Sequence, residues 1–287
     1  MEWKDRQGNH ISDGDENDKT LRFLYETKAG NVILSMLVRK PISDFVGWLM
    51  RSRFSALWIN SFRKKNAIDM SQYENRKYKS FNDFFTRKVR PECRPVDYEP
   101  THFISPCDCK LTVFPIKEES VFTVKGGRYT TEQLLRNKEL AACYAGGTLL
   151  VFRLTVGDYH RYCYPDSGVN GENVHIQGIY HTVNPIALNR HAVFKENTRE
   201  YTVLHSDHFG DLVIMEVGAT LVGRISNLHG ACRVNRGEEK GRFDFGGSTM
   251  IVLVKPGILQ VDEDILRNNS EGCETVIHYG ERIGVLK

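Results

Sequence analysis

The chain has 287 residues, room for one large domain or two modest ones, and its 40% apolar and 26% charged residues are ordinary for a globular protein. Its 39 basic and 36 acidic side chains leave a net charge of +3, too small an excess to indicate a nucleic-acid partner. No uninterrupted apolar run reaches the roughly 18 residues of a membrane-spanning helix, and the 24 glycines and nine prolines show no triplet period.

The first twenty residues, MEWKDRQGNHISDGDENDKT, are polar and acid-rich, unlike a signal or transit peptide, so an intracellular protein is expected. Seven cysteines, an odd number, then read as reduced thiols. Only Cys107 and Cys109 are close together, and their C-x-C spacing lacks the paired pattern of structural zinc, so no metal site is expected.

From Lys19 to about Phe85 the pattern is helical. Leu37, Val38, Phe45, Val46, Leu49, Phe54, Leu57, Trp58 and Phe62 recur at near-helical spacing, and Pro41 marks a boundary between two helices, with Ser43 or a neighbour as cap. Between Lys28 and Asn66 eight basic side chains stand against Asp44 alone, +7 in a chain whose total is +3. A basic amphipathic stretch carrying Trp48 and Trp58 suits an anionic membrane surface. On charge alone, a helical layer with solvated lysines and arginines accounts for it better.

After Arg94-Pro95 the pattern becomes strand-like. Residues 147–156, 199–206, 211–225 and 248–257 are rich in Val, Ile, Leu and Thr, and only short helices such as TTEQLLRNKELAA (130–142) intervene. Regular strand–helix alternation is missing, which argues against a doubly wound sheet. The fold class expected is α+β. An N-terminal helical layer (1–95) precedes a mostly antiparallel β-rich domain (96–287), with no internal repeat.

Four stretches look out of place in a scaffold: Ser105–Cys109, Asp158–Gly168, His181–Pro185 and Gly241–Thr249. Each has a bland reading when taken singly. Asp108 suits a turn, His160 a satisfied core, and Gly246-Gly247 a β-bulge. A G-x-S-x-G hydrolase elbow is excluded at Ser248, because Met250 occupies the place of its last glycine.

Together the stretches resemble the phosphatidylserine decarboxylases, self-processing pyruvoyl enzymes. The resemblance covers nearly the whole chain, from FLYETKAG (23–30) and SFNDFFTRKVRPECRPVD (80–97) to the C-terminal strand. It is most specific at SP-x-D (105–108), DYHR (158–161) and GGST (246–249), in the family's order and spacing.

The resemblance implies conversion of phosphatidylserine to phosphatidylethanolamine with a pyruvoyl cofactor derived from Ser248. Gly246 and Gly247 permit a strained backbone and leave the Gly247 carbonyl approachable. The Ser248 hydroxyl attacks it and exchanges amide for ester; elimination leaves dehydroalanine, which hydrolyses to pyruvoyl and ammonia. The products, residues 1–247 and 248–287, are expected to remain a heterodimer, with further oligomerisation left open. The pyruvoyl carbonyl condenses with the substrate amine and accepts the electrons released with carbon dioxide. A histidine suits reprotonation near neutral pH. A bilayer substrate also favours reading residues 28–66 as a peripheral anchor on the cytoplasmic side of the cell membrane.

The sequence departs from the family pattern twice. Cys109 replaces the glycine often found after SP-x-D, and Cys163 replaces the second histidine of DYHR-x-H. In the family that histidine pairs with the SP-x-D aspartate to assist serine attack. The resemblance therefore assigns Asp108, His160, Gly247 and Ser248, and makes His181 a candidate replacement. Two other readings stand beside it. One is pyruvoyl chemistry on another serine-headgroup lipid or an amino acid; the other is an unprocessed membrane-binding pseudoenzyme.

Overall fold

The Val-, Ile- and Leu-rich runs form the middle of one large sheet. In order across it lie Arg199–Ser206, Gly210–Val217, Ser248–Val254, Thr148–Leu154 and Cys109–Pro115, each antiparallel to the next. The computed structural model describes residues 2–11, 19–117, 120–124, 127–182, 187, 193–219, 224–245 and 248–287. Gly246 and Gly247 of the GGST motif, and Val183, Asn184 and Pro185 after His181, lie outside the described residues.

Every residue of Ser248–Val254 is buried. A continuous apolar run, rather than alternation, marks a strand covered on both faces. Val151, Met215 and Ile251 point to one core, shared with Tyr25, Leu34 and Val38 of the helical layer. Phe152, Ile214 and Met250 point to the other, with Cys107, Cys109, Tyr162 and Phe243. A three-stranded sheet of Ile225–Asn227, Glu239–Phe243 and Arg161–Cys163 supplies Tyr162 and Phe243 to that second core.

The start of the chain belongs to the sheet. Trp3–Lys4 pairs in parallel with Glu274–Ile277, which is antiparallel to Cys109–Pro115. The Trp3 ring lies 4.8 Å from the Lys110 ammonium and 5.7 Å from the Arg153 guanidinium, and Arg153 is ion-paired to Glu274.

The helical layer comprises α1 (Lys19–Glu26), α2 (Lys28–Leu37), α3 (Lys40–Arg51), a 3-10 turn (Arg53–Trp58), α4 (Ile59–Lys65) and α5 (Phe81–Phe85). Thr27 caps α2 by accepting from the Gly30 amide at 2.9 Å. Pro41 sits in the first turn of α3, where its missing N–H leaves no bond unmade. Ser43 is not the cap; Arg39 holds that position without a side-chain hydrogen bond. Tyr25, Leu34 and Val38 face inward, whereas Phe45, Trp48, Phe54, Leu57 and Trp58 face solvent. No helix among the described residues is long and apolar enough to cross a membrane.

The helix expected over 130–142 is two short ones, Thr131–Leu135 and Lys138–Ala142. Arg136 adopts a left-handed φ of 50°, and Asn137 caps the second helix by accepting from the Leu140 amide. The capping preference of Asn outweighs continuation of the helix.

Candidate active site

Ser248 opens its strand opposite Leu154, the last residue of Thr148–Leu154. Its hydroxyl is buried and has no hydrogen-bond partner among the described residues. Burying an unsatisfied hydroxyl costs about 1–3 kcal/mol, so such a group calls for a chemical explanation.

Just beyond Leu154 the chain turns at Asp158, whose carboxylate accepts from the Thr155 amide (2.6 Å) and from Lys110 Nζ (2.7 Å). That turn delivers His160 into the interior, tilted against Phe85 at 38° with ring centroids 4.0 Å apart. His160 Nδ1 lies 2.9 Å from the Asp158 carbonyl oxygen, which can only accept. The proton of the neutral ring therefore sits on Nδ1 and the lone pair on Nε2, a buried atom with no partner among the described residues. Burial pushes the imidazole pKa down from 6.5 to about 3, so the ring is neutral at physiological pH.

The segment entering Ser248 runs alongside this histidine. The Phe243 amide donates to the His160 carbonyl at 2.9 Å, and Phe245 packs on Phe85 at 5.3 Å. Asn82 of α5 fixes the same segment, accepting from the Phe245 amide (2.8 Å) and donating to Asp244 (3.2 Å). Helix α5, through Asn82 and Phe85, thus ties the approach to Ser248 to the ring of His160.

Asp108 is engaged elsewhere. Arg94 Nε and Nη2 grip its carboxylate at 2.8 and 2.7 Å, and the Tyr279 amide donates to it at 2.8 Å. Burial opposes its ionisation, but His278 and Arg94 outweigh that and hold the carboxyl far below its ordinary range. Arg94 is the stronger partner, since His278 Nδ1 stands 3.8 Å away, beyond hydrogen-bond length.

Cys163 is fully buried, with its amide bonded to the Pro106 carbonyl. Burial pushes its thiol up to about 12, so it is protonated near neutral pH and is no thiolate base. His181 is buried against α1, its Nδ1 3.2 Å from the Tyr25 hydroxyl, which itself accepts from the Thr182 amide. The Asn197 side chain bonds both the amide and the carbonyl of His181 and reaches the Gly218 carbonyl. Gly218 follows Val217, the strand partner of Thr249.

The fold thus sets His160 and Phe245, three residues before Ser248, against the same Phe85 ring. It brings His181 to the neighbouring strand end and gives Asp108 to Arg94. Sequence reasoning missed Arg94, Asn82 and Phe85 as parts of this arrangement, although all three lie within SFNDFFTRKVRPECRPVD.

Residues 81–285 match the family model described as phosphatidylserine decarboxylase. The chain is 42% identical over 265 residues to "Phosphatidylserine decarboxylase proenzyme 2" of Clostridium acetobutylicum, covering 92% of this chain and 91% of that one. The chain belongs to the phosphatidylserine decarboxylase family. It is accordingly a decarboxylase, a carboxy-lyase. Other family members named as proenzymes include one from Clostridium botulinum, 41% identical over 276 residues and 94% of each chain. A third, from Desulfitobacterium hafniense, is 40% identical over 274 residues, 93% of this chain and 92% of its own. The family match contains Asp108, His160, His181 and Ser248 and begins at the first residue of α5, so α1–α4 precede it.

Proposed function

We propose that the chain cuts itself between Gly247 and Ser248, and that the product decarboxylates phosphatidylserine to phosphatidylethanolamine at a membrane surface. The observation that carries this reading is that two buried atoms, Ser248 Oγ and His160 Nε2, have no hydrogen-bond partner among the described residues. One has a proton to lose and the other a lone pair to take it.

In cleavage, His160 Nε2 accepts the Ser248 hydroxyl proton as Oγ bonds to the Gly247 carbonyl carbon. The bond from that carbon to Ser248 N then breaks, leaving an ester and a free amine. Elimination of the ester and hydrolysis convert residue 248 to a pyruvoyl group and release ammonia. The fit to this cofactor rests on the buried Ser248 hydroxyl, which no hydrogen bond among the described residues uses. The pyruvoyl group supplies a carbonyl that takes up the electrons released with carbon dioxide. His160 also suits return of a proton to the substrate carbon, because burial disfavours its imidazolium. The open lone pair on His160 favours it as base over His181, whose Nδ1 meets the Tyr25 hydroxyl. Asp108 and Arg94 act by holding the Ser105–Cys109 turn.

The two products stay together as a heterodimer, because Ser248–Val254 lies between Gly210–Val217 and Thr148–Leu154. Membrane attachment is peripheral, through Trp48, Phe54, Leu57 and Trp58 among the basic side chains of residues 28–66. Carbon dioxide release from phosphatidylserine vesicles, O-phosphoserine and free serine tests the substrate. Release from vesicles alone is expected; release from the soluble amino acids moves the activity to that class. An intact, inactive chain would make it a pseudoenzyme.

A further inference from the structure

A cleft of about 670 Å³ opens between α4 and residues 70–78. Arg63 of α4 and Arg76, Lys77 and Arg90 opposite it set four cations against the single carboxylate of Glu74. Arg76 is satisfied by a two-pronged contact with Asp83 (2.8 and 3.0 Å), and Arg90 by Glu92 (3.4 Å). Arg63 and Lys77 have no carboxylate at ion-pair distance among the described residues.

Another cation lies behind the aromatic wall. Tyr73 and Phe84 line the cleft, and the Arg87 guanidinium sits 4.3 and 5.0 Å from their ring centroids. Arg87 is fully buried. Its Nη2 donates to the Tyr73 hydroxyl and the Gly157 carbonyl, while Nε and Nη1 have no partner among the described residues. The neighbouring Asp158 carboxylate is already taken by Lys110. A buried charge without a counter-ion is costly, and an anion in the cleft offsets it. The cleft also reaches Ala56 in the 3-10 turn, whose Phe54 and Leu57 are each 81% exposed. Concentrated positive charge beside bare apolar side chains matches a molecule with an anionic head and acyl tails, rather than a free ion.

We infer that this cleft binds the headgroup phosphate of an anionic phospholipid, a second lipid beside the substrate, with Arg63 and Lys77 on the phosphate. None of Ser248, His160, Asp108 and His181 lines it. The inference rests on the membrane-surface reading above.

Calorimetry with short-chain dihexanoyl phosphatidylglycerol, kept monomeric, tests it. The wild type is expected to bind at one saturable site. Arg63→Gln with Lys77→Gln weakens binding at least about tenfold, since both charge-assisted hydrogen bonds to the phosphate are lost. Both positions are exposed, and unchanged thermal unfolding confirms the fold. The charge-matched Arg51→Gln with Arg53→Gln leaves the affinity within about twofold, which separates a site from diffuse attraction. Equal binding of dihexanoyl phosphatidylcholine, equal binding of inorganic phosphate, or equal loss in both double variants overturns the proposal. Sedimentation with phosphatidylcholine vesicles containing phosphatidylglycerol is scored separately. Vesicle binding without saturable monomer binding overturns the cleft and leaves membrane docking standing; monomer binding without vesicle binding supports the cleft and removes the docking surface.

Discussion

His160 carries two separable consequences of its burial. With a folded pKa near 3 against 6.5 when unfolded, the unfolded chain binds the extra proton between those values. Stability therefore falls as pH drops from about 6.5 towards 3, and about 2.5 units of that window correspond to roughly 3 kcal/mol. Asp108, whose carboxyl is depressed, adds its own loss only below its ordinary value of 3.8. Denaturant unfolding at pH 7, 6, 5 and 4 is expected to show the decline beginning above the carboxylate range, and His160→Gln is expected to flatten that upper part. A wild-type profile flat down to pH 4.5 contradicts the buried neutral imidazole. The same residue bears on cleavage. Half-times measured in parallel for His160→Ala, His181→Ala and Cys163→Ser are expected to lengthen by about a hundredfold or more for His160, the usual scale for losing a general base. Cys163→Ser is expected to cleave normally, because a thiol with a pKa near 12 is not the base. Rapid cleavage by His160→Ala together with arrest in His181→Ala transfers the role to His181.

At the scale of elements, the helical layer and the paired sheets have different sensitivities. Trp48 and Trp58 to alanine, with Arg51, Arg53, Lys64 and Lys65 neutralised, is expected to reduce sedimentation with anionic vesicles while self-cleavage survives. Each cation near such a surface contributes about 1 kcal/mol, so the four charges alone change binding by orders of magnitude. Undiminished sedimentation returns α3 and α4 to the role of a solvated layer. Between the large and small sheets, Lys240 Nζ meets Glu216 at 2.9 Å with both side chains buried. Asn227 bridges them, accepting from Lys240 (2.9 Å) and donating to Glu216 (3.2 Å). Lys240→Met alone strands the carboxylate and is expected to cost roughly 3–5 kcal/mol, whereas Lys240→Met with Glu216→Leu recovers most of it. Chemical denaturation of the three proteins decides this; equal stability of the single and double variants removes the pair's significance.

At the scale of the whole molecule, what the sequence disclosed was local. The strand at 199–206 agrees end for end with the fold, and Ser248–Val254 begins where the apolar run begins, because continuous β-branched and Leu-rich text has few other uses. What stayed hidden depends on distant pairing. Trp3–Lys4 is too short to register as a strand until Glu274–Ile277 lies beside it. Arg94 reaches Asp108 across 14 positions, and Phe85 meets His160 only once α5 packs on the turn at Asp158. The break at Arg136 turned on one residue's backbone angle, which helical spacing does not reveal. Motif order pointed to Asp108, His160 and Ser248 as candidates but not to Arg94, Phe85 and Asn82 around them. With Cys163 in place of histidine the motif names no base, and the proposal of His160 rests on burial and hydrogen bonding that the sequence does not display.

The central claim is that Ser248 becomes the cofactor by cutting the chain before it. Intact-mass measurement on purified protein tests this most directly. The wild type is expected to yield two chains, residues 1–247 and a fragment equal to residues 248–287 less one ammonia, refractory to N-terminal sequencing; Ser248→Ala is expected to remain a single inactive chain of 287 residues. A fully uncut wild type, or a fragment with an ordinary N-terminal serine, contradicts the account.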